Sequence, residues 1–206
     1  MLTARAWHSV TTVGATTGIA PEVAASFSGG GFSNVFSQPS YQAAAVSRYL
    51  STLGGENAGR FNRSGRAYPD IAAQGENVEI VFGGQRGPVS STACSTPIVA
   101  SVVALLNDLL AQQGRPPLGF LNPLLYSLGG TAAFTDVVSG SNPGCGTEGF
   151  PALAGWDPVS ATMVGDGVAL DGLLTGVLGF RLLGWARRIS RRSGRPSVYE
   201  GGYKAY

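Results

Sequence analysis

Residues 90–97, which read Ser-Ser-Thr-Ala-Cys-Ser-Thr-Pro, have side chains suited to nucleophilic chemistry. They stand where a strand is predicted to turn sharply into an apolar helix. The start of a helix presents unpaired N–H groups and a positive dipole end, which favour a thiolate or an alkoxide. The candidate nucleophiles are Ser91, Thr92, Cys94 and Ser95. Ala93 lies among them and cannot attack a carbonyl carbon.

A nucleophile of this kind needs a hydrogen-bonded base, and His8 is the one histidine of the chain. Because neighbouring side chains on a strand and turn point in different directions, we expect no complete nucleophile–base pair. His8 is predicted to be a solvated surface residue. Cys94 is interpreted as a small buried hydrophobic residue at the helix start, with a reactive thiol as the alternative.

Two aspartates, Asp136 and Asp157, form a second candidate site on separate predicted loops. Carboxylates together with irregular backbone freed by Gly and Pro can supply the oxygen ligands of a hard cation. The alternative is that both are ordinary solvated loop carboxylates. A zinc site is excluded because Cys94 and Cys145 do not form a paired-cysteine motif, and they allow one disulfide at most.

The elements that would position these residues follow from hydrophobic spacing and from turn residues. The patterns predict strands at 9–13, 78–82 and 88–89, helices at 39–53, 95–113 and 122–128, a glycine-rich loop at 28–33, a polar, turn-rich segment at 55–70, and a strand or extended loop at 134–138. The helix at 95–113 is apolar on nearly all sides, with Pro97 in its first turn. Such a helix is expected to be buried on most sides, at the centre of an α/β domain.

The composition favours a folded domain, since 44% of residues are hydrophobic and 13% are charged. This balance excludes general disorder and a wholly basic nucleic-acid binder, so no nucleic-acid partner is expected. The net charge of +2 is unevenly distributed, because the segment 181–206 holds seven basic residues and one acidic residue. The N-terminus shows no signal peptide, and no membrane span is expected.

Seven ordered segments resemble the sedolisin, or serine-carboxyl peptidase, family, which includes tripeptidyl-peptidases and has a subtilisin-like fold. The segments are V-G-A-T-T-G (13–18), F-S-G-G-G-F-S-N-V-F (27–36), G-R-A-Y-P-D-I-A-A-Q-G (65–75), C-S-T-P (94–97), L-G-F-L-N-P-L-L-Y (118–126), F-T-D-V-V-S-G (134–140) and A-G-W-D-P-V-S (154–160). The resemblance implies an α/β fold: the C-terminal part of a subtilisin-like domain, with a parallel sheet and a buried central helix.

The resemblance also sets the expected domains, partners and compartment. Residues 1–160 would be a partial peptidase domain, and 161–206 a basic and apolar tail outside the family that is predicted to be disordered. Family members cleave peptides or proteins and are secreted or lysosomal, whereas this chain has no visible signal peptide, which leaves its compartment open. An interfacial membrane anchor is one interpretation of the tail, and translated non-coding sequence is the other.

Two departures from the family pattern bear on activity. The family reads G-T-S-x-S-T-P at the helix start, so Ala93 stands at the position of the nucleophilic serine and Ser91 at the turn glycine. The family's Glu and Asp partners and its oxyanion Asp precede the segment that matches Val10. We therefore expect a serine peptidase that is catalytically incomplete as written. The alternative is a non-enzymatic, calcium-stabilised peptide-binding module that uses the loop 28–33.

The family's calcium site carries over onto both aspartates. It implies one calcium ion bound by Asp136 with the carbonyl of Val137, and by Asp157 with the carbonyls of Leu153 and Gly155. The loop that follows, 160–165, departs from the family's sequence. Cys145 resembles a cysteine that fungal members pair with an upstream partner, and here a free exposed thiol is expected. Asp70 matches a segment that shapes the substrate cleft, with a locally bonded turn aspartate as the alternative.

Overall fold

A four-stranded sheet lies at the centre of the computed structural model, which describes residues 8–19, 21–128 and 134–163. The strands are β1 (Val13–Thr17), β2 (Val23–Ala24), β3 (Gly31–Ser37), β4 (Gly65–Tyr68), β5 (Ile71–Gln74), β6 (Val78–Phe82), β7 (Gln85–Val89) and β8 (Thr162–Met163); the helices are α1 (Ala43–Leu53), α2 (Thr92–Gln112) and α3 (Asn122–Leu128), with a 3₁₀ turn at Ser40–Gln42. The central sheet has the order β2-β1-β5-β8. Strand β5 pairs in parallel with β1 and with β8, and β2 pairs antiparallel to β1.

The first strand lies four residues later than predicted. The sequence predicts a strand at 9–13, but β1 begins at Val13 and its register pairs Val13 with Ile71. The Thr12 carbonyl accepts hydrogen bonds from the N–H groups of Asp70 and Ile71 at the start of β5. Pairing with β5 thus decides where β1 lies, and this tertiary constraint overrides the local pattern.

Alternate residues of β5 face two different layers, as the pleat requires. Ile71 and Ala73 pack with Val99 of α2 and Leu125 of α3. Ala72 points the other way and packs with a second cluster, whose other members are Ala24, Val137, Ala152 and Val159. The sheet is therefore covered by α2 on one face and by the loops of 137–159 on the other.

Helix α2 differs from its prediction in start and burial. It begins at Thr92 with Ser91 as the N-cap, so Pro97 lies in its second turn. Val99, Leu106 and Leu110 face the interior, whereas Ile98 is 37% and Leu105 62% exposed. The expectation of burial on most sides was wrong for the described residues, because the sheet covers one side of the helix. By length and composition alone α2 could also cross a membrane.

A third packed layer joins α1 to the strand pair β3 and β4. Strand β3 replaces half of the loop predicted at 28–33, and it pairs antiparallel with β4, Phe32 opposite Ala67. The predicted helix at 39–53 is confirmed as the 3₁₀ turn followed by α1. Phe32 and Tyr49 pack edge-on against Trp156, which ties this layer to the segment after Asp136.

The strands predicted at 78–82 and 88–89 are observed as the antiparallel hairpin of β6 and β7, in which β7 begins at Gln85 and the turn is formed by Gly83 and Gly84. Both glycines have positive φ, 58° and 79°, as a two-residue hairpin turn requires. The hairpin stands out from the domain, with Phe82 82% exposed. The predicted strand or extended loop at 134–138 is an irregular loop. Within the predicted tail, Thr162–Met163 pairs with β5, and the residues 164–206 lie outside the described part of the chain.

Candidate functional site

The residues 90–97 lie where the carboxyl ends of β1 and β5 meet the start of α2. The N–H of Ser91 donates to the Gly75 carbonyl at 2.8 Å, and the N–H of Gly75 donates to the Thr16 carbonyl at 2.9 Å. This chain of hydrogen bonds fixes the helix N-terminus against the ends of two parallel strands. Clefts at that edge of an open α/β sheet are common places for ligands.

Ala93 is the second residue of α2 and is exposed at this edge. Its N–H donates to the Ser91 Oγ at 3.1 Å, so the Ser91 hydroxyl acts as the helix cap. Its side chain is a methyl group, which offers no atom for attack on a carbonyl. The structure thus places Ala93 at the strand–turn–helix corner that the sequence predicted for a nucleophile.

Two of the neighbouring side chains, Cys94 and Ser95, are buried, whereas Ser91 and Thr92 are partly exposed. Ser95 is buried and donates to the Gln74 carbonyl at 3.3 Å. Cys94 is buried, with its Sγ 3.8 Å from the Val89 carbonyl, as its interpretation as a small core residue predicts. The exposed His8 lies against the end of β3 instead, where its Nε2 is 2.7 Å from the Ser37 carbonyl oxygen. The structure does not bring His8 to the start of α2.

The two aspartates of the second candidate site are held by connected loops. The Gly155 N–H donates to the Asp136 Oδ2 at 2.8 Å, which joins the loop of Asp136 to that of Asp157. The Ser160 Oγ donates to the Asp157 Oδ2 at 2.8 Å and lies 3.5 Å from the Val137 carbonyl oxygen. Leu153 and Gly155 belong to the turn just before Asp157, where Gly155 has a φ of 88°.

Asp157 and Asp136 differ in their surroundings. Asp136 is exposed, whereas Asp157 has no exposed surface. Burial raises the pKa of the Asp157 carboxyl to about 7, although the N–H groups of Val159 and Ser160 donate to it and oppose this shift. No group of three or more His, Cys, Asp or Glu side chains clusters within the described ranges.

Asp70 lies in the interior, and its hydrogen bonds reach well beyond its own turn. It is buried with Arg66, whose Nη2 lies 2.6 Å from the Asp70 Oδ2, and neither side chain has appreciable exposed surface. The same carboxylate accepts from the N–H and hydroxyl of Thr12, and its second oxygen from the Tyr126 hydroxyl. Burial, followed by the Asp70 charge, raises the pKa of Tyr126. Asp70 therefore links β1, β4, β5 and α3 in the interior.

Known peptidases are similar to this chain in sequence. The chain is 46% identical over 165 residues to tripeptidyl-peptidase SED2 of Arthroderma otae, an alignment that covers 73% of this chain and 28% of the relative. It is 42% identical over 145 residues to aorsin of Aspergillus oryzae, covering 65% of this chain and 22% of the relative. No profile of a known protein family matches.

A solved structure has the same fold. It is the Pseudomonas sedolisin, a serine-carboxyl proteinase complexed with two molecules of pseudo-iodotyrostatin. The two structures superpose with a TM-score of 0.64 and 25% identity, over 86% of this chain and 49% of that one. This chain belongs to the sedolisin family.

The family assignment confirms the predicted fold class, an α/β domain of the subtilisin-like type. The chain spans about a quarter of the length of the curated relatives it matches. Matching half of the solved sedolisin is consistent with the predicted C-terminal part of that domain.

A pocket of about 420 Å³ lies between the segments 57–61 and 142–150 of this chain and is not predicted from the sequence. Its lining residues come from a stretch interpreted as polar and turn-rich, and from the loop around Cys145. A signal was present in Asn57, Gly59, Arg60 and Phe61, where turn residues bring a cation and an aromatic ring together. Periodicity does not detect such a pair, because it lies outside any helix or strand.

Gly75 gives a direct test of how tightly the start of α2 packs on the sheet. A Cβ at Gly75 would lie 2.6 Å from the Ser95 Oγ and 2.8 Å from the Ala15 Cβ. We expect Gly75→Ala to lower the free energy of unfolding by ~1–3 kcal/mol, the usual cost of overpacking. Gly55→Ala is the matched control, because a Cβ there meets nothing within 4 Å. Equal midpoints for both variants in denaturant unfolding would contradict the described corner.

Proposed function

We propose that this chain is a sedolisin-like peptidase unit that does not hydrolyse peptides and that holds one calcium ion in the loops of Asp136 and Asp157. The observation that carries the first part is the methyl group of Ala93 at the strand–turn–helix corner. Acyl transfer needs a nucleophile and a base that act as a unit, so the loss of the nucleophile removes the covalent step. Peptide turnover tests this part of the proposal.

The other side chains of the corner are poor substitutes for the missing serine. The Ser91 hydroxyl caps the helix, Ser95 is buried, and the Cys94 thiol is turned inward. In the part of the chain that the structure describes, these three groups bond to Ala93, Gln74 and Val89, and none of them bonds to a carboxylate or an imidazole. Without a base in contact, a hydroxyl at this corner stays protonated and is a weak nucleophile.

The donor set of the two loops supports calcium as the resident ion. Asp157 is a carboxylate without exposed surface, and the described part of the chain provides no cationic side chain that bonds to it. A buried carboxylate is costly unless a positive charge compensates it, and Ca²⁺ prefers carboxylate and carbonyl oxygens. The Val137 carbonyl is linked to Asp157 through Ser160, and Asp136 to Gly155, so the predicted ligands lie on adjoining loops.

Each predicted ligand residue would contribute oxygen atoms to the calcium ion. Asp136 and Asp157 would supply charge, and the carbonyls of Val137, Leu153 and Gly155 would complete an oxygen coordination shell. The ion would cross-link the segment 136–137 to the segment 153–157, which also carries Trp156 into the aromatic layer. Its role in this proposal is to stabilise the fold.

Calcium should stabilise the chain against unfolding. A ligand that binds the native state alone, at a hundredfold excess over its Kd, contributes about 2.7 kcal/mol. We expect a higher Tm in calcium than in chelator, and loss of most of this difference in Asp157→Ala and in Asp136→Ala. Asp108→Ala, at an exposed carboxylate of α2, is the control that should keep the difference. Equal Tm values with calcium and with chelator would exclude the site.

The alternative of a peptide-binding module that uses the loop 28–33 finds less support. A Cβ at Gly30 would lie 1.7 Å from the Pro158 carbonyl oxygen, so this backbone is packed against the protein itself. The second half of the loop belongs to β3 and is paired with β4. A peptide could not lie on the backbone at Gly30 without displacing Pro158.

A further inference from the structure

The pocket between the segments 57–61 and 142–150 has a lining that no part of the proposed function uses. It is formed by two loops, and the side chain of Asn57 joins them by donating to the Gly149 carbonyl at 2.7 Å. Its volume of about 420 Å³ is in the usual range for a small-molecule site.

The floor of the pocket is aromatic. Phe61 and Phe150 are both half-buried, and their ring centroids lie 5.0 Å apart in an edge-to-face arrangement. Phe32 packs behind both rings, with centroid distances of 4.7 Å and 5.4 Å. A planar or branched apolar group placed on these rings would gain further edge or face contacts.

The neutral polar side chains of the lining are already bonded within the protein. Asn142 accepts from the Phe150 N–H and donates to the Pro158 carbonyl. The Thr147 hydroxyl donates to the Gly144 carbonyl and accepts from the Gly149 N–H. These side chains therefore shape the pocket and leave little hydrogen-bonding capacity for a ligand.

Arg60 is the charged residue that lines the pocket, and it is exposed. Within the described ranges, no carboxylate forms a salt bridge with it, whereas Arg66 and Arg86 each have one. A guanidinium group binds a carboxylate through two parallel hydrogen bonds. The lining thus offers a ligand the cation of Arg60 beside an aromatic floor.

We propose that this pocket binds a carboxylate that carries an aromatic or branched apolar group, with the carboxylate on Arg60 and the apolar group on Phe61 and Phe150. A free N-acyl amino acid and the C-terminal residue of a peptide both have this chemistry. The inference does not depend on Ala93 or on calcium, so it can fail while the proposed function stands.

The test is titration calorimetry of the full chain with N-acetyl-phenylalanine and with its neutral amide. We expect the carboxylate to bind at least about tenfold more tightly than the amide, because the charge-assisted hydrogen bonds to Arg60 are lost in the amide. Arg60→Gln should reduce carboxylate binding to the level of the amide. Arg48→Gln, at another exposed arginine on α1, is the matched control and should change neither affinity.

Cys145 provides an independent readout, because it lines the same pocket and is exposed whereas Cys94 is buried. N-acetyl-phenylalanine should slow the alkylation of Cys145 by iodoacetamide, and Arg60→Gln should remove this protection. Peptides ending in phenylalanine, with a free or an amidated C-terminus, distinguish the two sources. If the peptide with a free C-terminus binds, the pocket takes the ends of peptide chains. If that peptide does not bind but N-acetyl-phenylalanine does, the pocket takes small free acids. Equal affinity for acid and amide, an unchanged Arg60→Gln variant, or no binding of either probe would overturn the proposal.

Discussion

Replacing Asp70 by alanine should lower the free energy of unfolding by ~3–5 kcal/mol, the usual cost of removing one partner of a buried ion pair. The substitution leaves the Arg66 guanidinium in the interior without its carboxylate. It also removes the acceptor of the Thr12 N–H and of the Tyr126 hydroxyl. Since these bonds join four elements around β5, the loss should be seen as a large fall in the midpoint of denaturant unfolding.

A second ion pair of the same chain supplies the control. Arg86 and Glu79 lie 3.5 Å apart on the hairpin, with side chains that are 80% and 65% exposed. Exposed pairs of this kind contribute little, so Glu79→Ala should change the free energy of unfolding by less than ~1 kcal/mol. Replacing Arg66 and Asp70 together by Met and Leu should recover much of the loss of Asp70→Ala. Similar effects of Asp70→Ala and Glu79→Ala would show that Asp70 does not organise the interior.

The helices were the most predictable part of the fold from the sequence. The helices at 39–53 and 122–128 are predicted from apolar spacing together with a recognisable start. The first starts at a proline and the second at an Asn-Pro pair. The start of α2 lies three residues before the predicted one, since Ser95, Thr96 and Pro97 also form a helix-start pattern and the capping role of Ser91 depends on its hydrogen bond to Ala93. The burial of α2 was overestimated, because the apolar pattern of a helix does not show how many of its faces pack against other elements.

The central strands were less predictable, for a physical reason. Strand β5 is four residues long and reads Ile-Ala-Ala-Gln, without the β-branched alternation that marks a half-buried strand. Its position is set by β1 and β8 on either side and by the buried pair of Arg66 and Asp70. No strand is predicted there from the sequence, although the segment 65–75 resembles a segment of the sedolisin family.

The candidate site could be predicted as far as its chemistry depends on residue type. The absence of a nucleophilic atom at position 93 is a property of the sequence, and the structure adds that Cys94 and Ser95 are buried and that the Ser91 hydroxyl caps the helix. The pocket beside Arg60 could not be found in this way, because it needs two loops separated by about eighty residues of chain to come together.

The second large effect concerns activity. Peptide turnover tests most directly the central claim that this chain does not hydrolyse peptides. The purified chain, incubated with oligopeptides from acidic to neutral pH, should release no product above the level of buffer. Ala93→Ser should also stay inactive, because none of the described carboxylates or the imidazole of His8 is bonded to the corner where this serine would stand.

Variants at the start of α2 distinguish activity of the chain itself from activity of contaminating peptidases. Ser91→Ala and Cys94→Ala remove the groups beside Ala93 that could act as nucleophiles. The account predicts no product from the chain, with or without calcium, and no dependence of any residual background on these variants. Product release that falls in Ser91→Ala or in Cys94→Ala would contradict the account and would show that another residue has taken over the role of the serine.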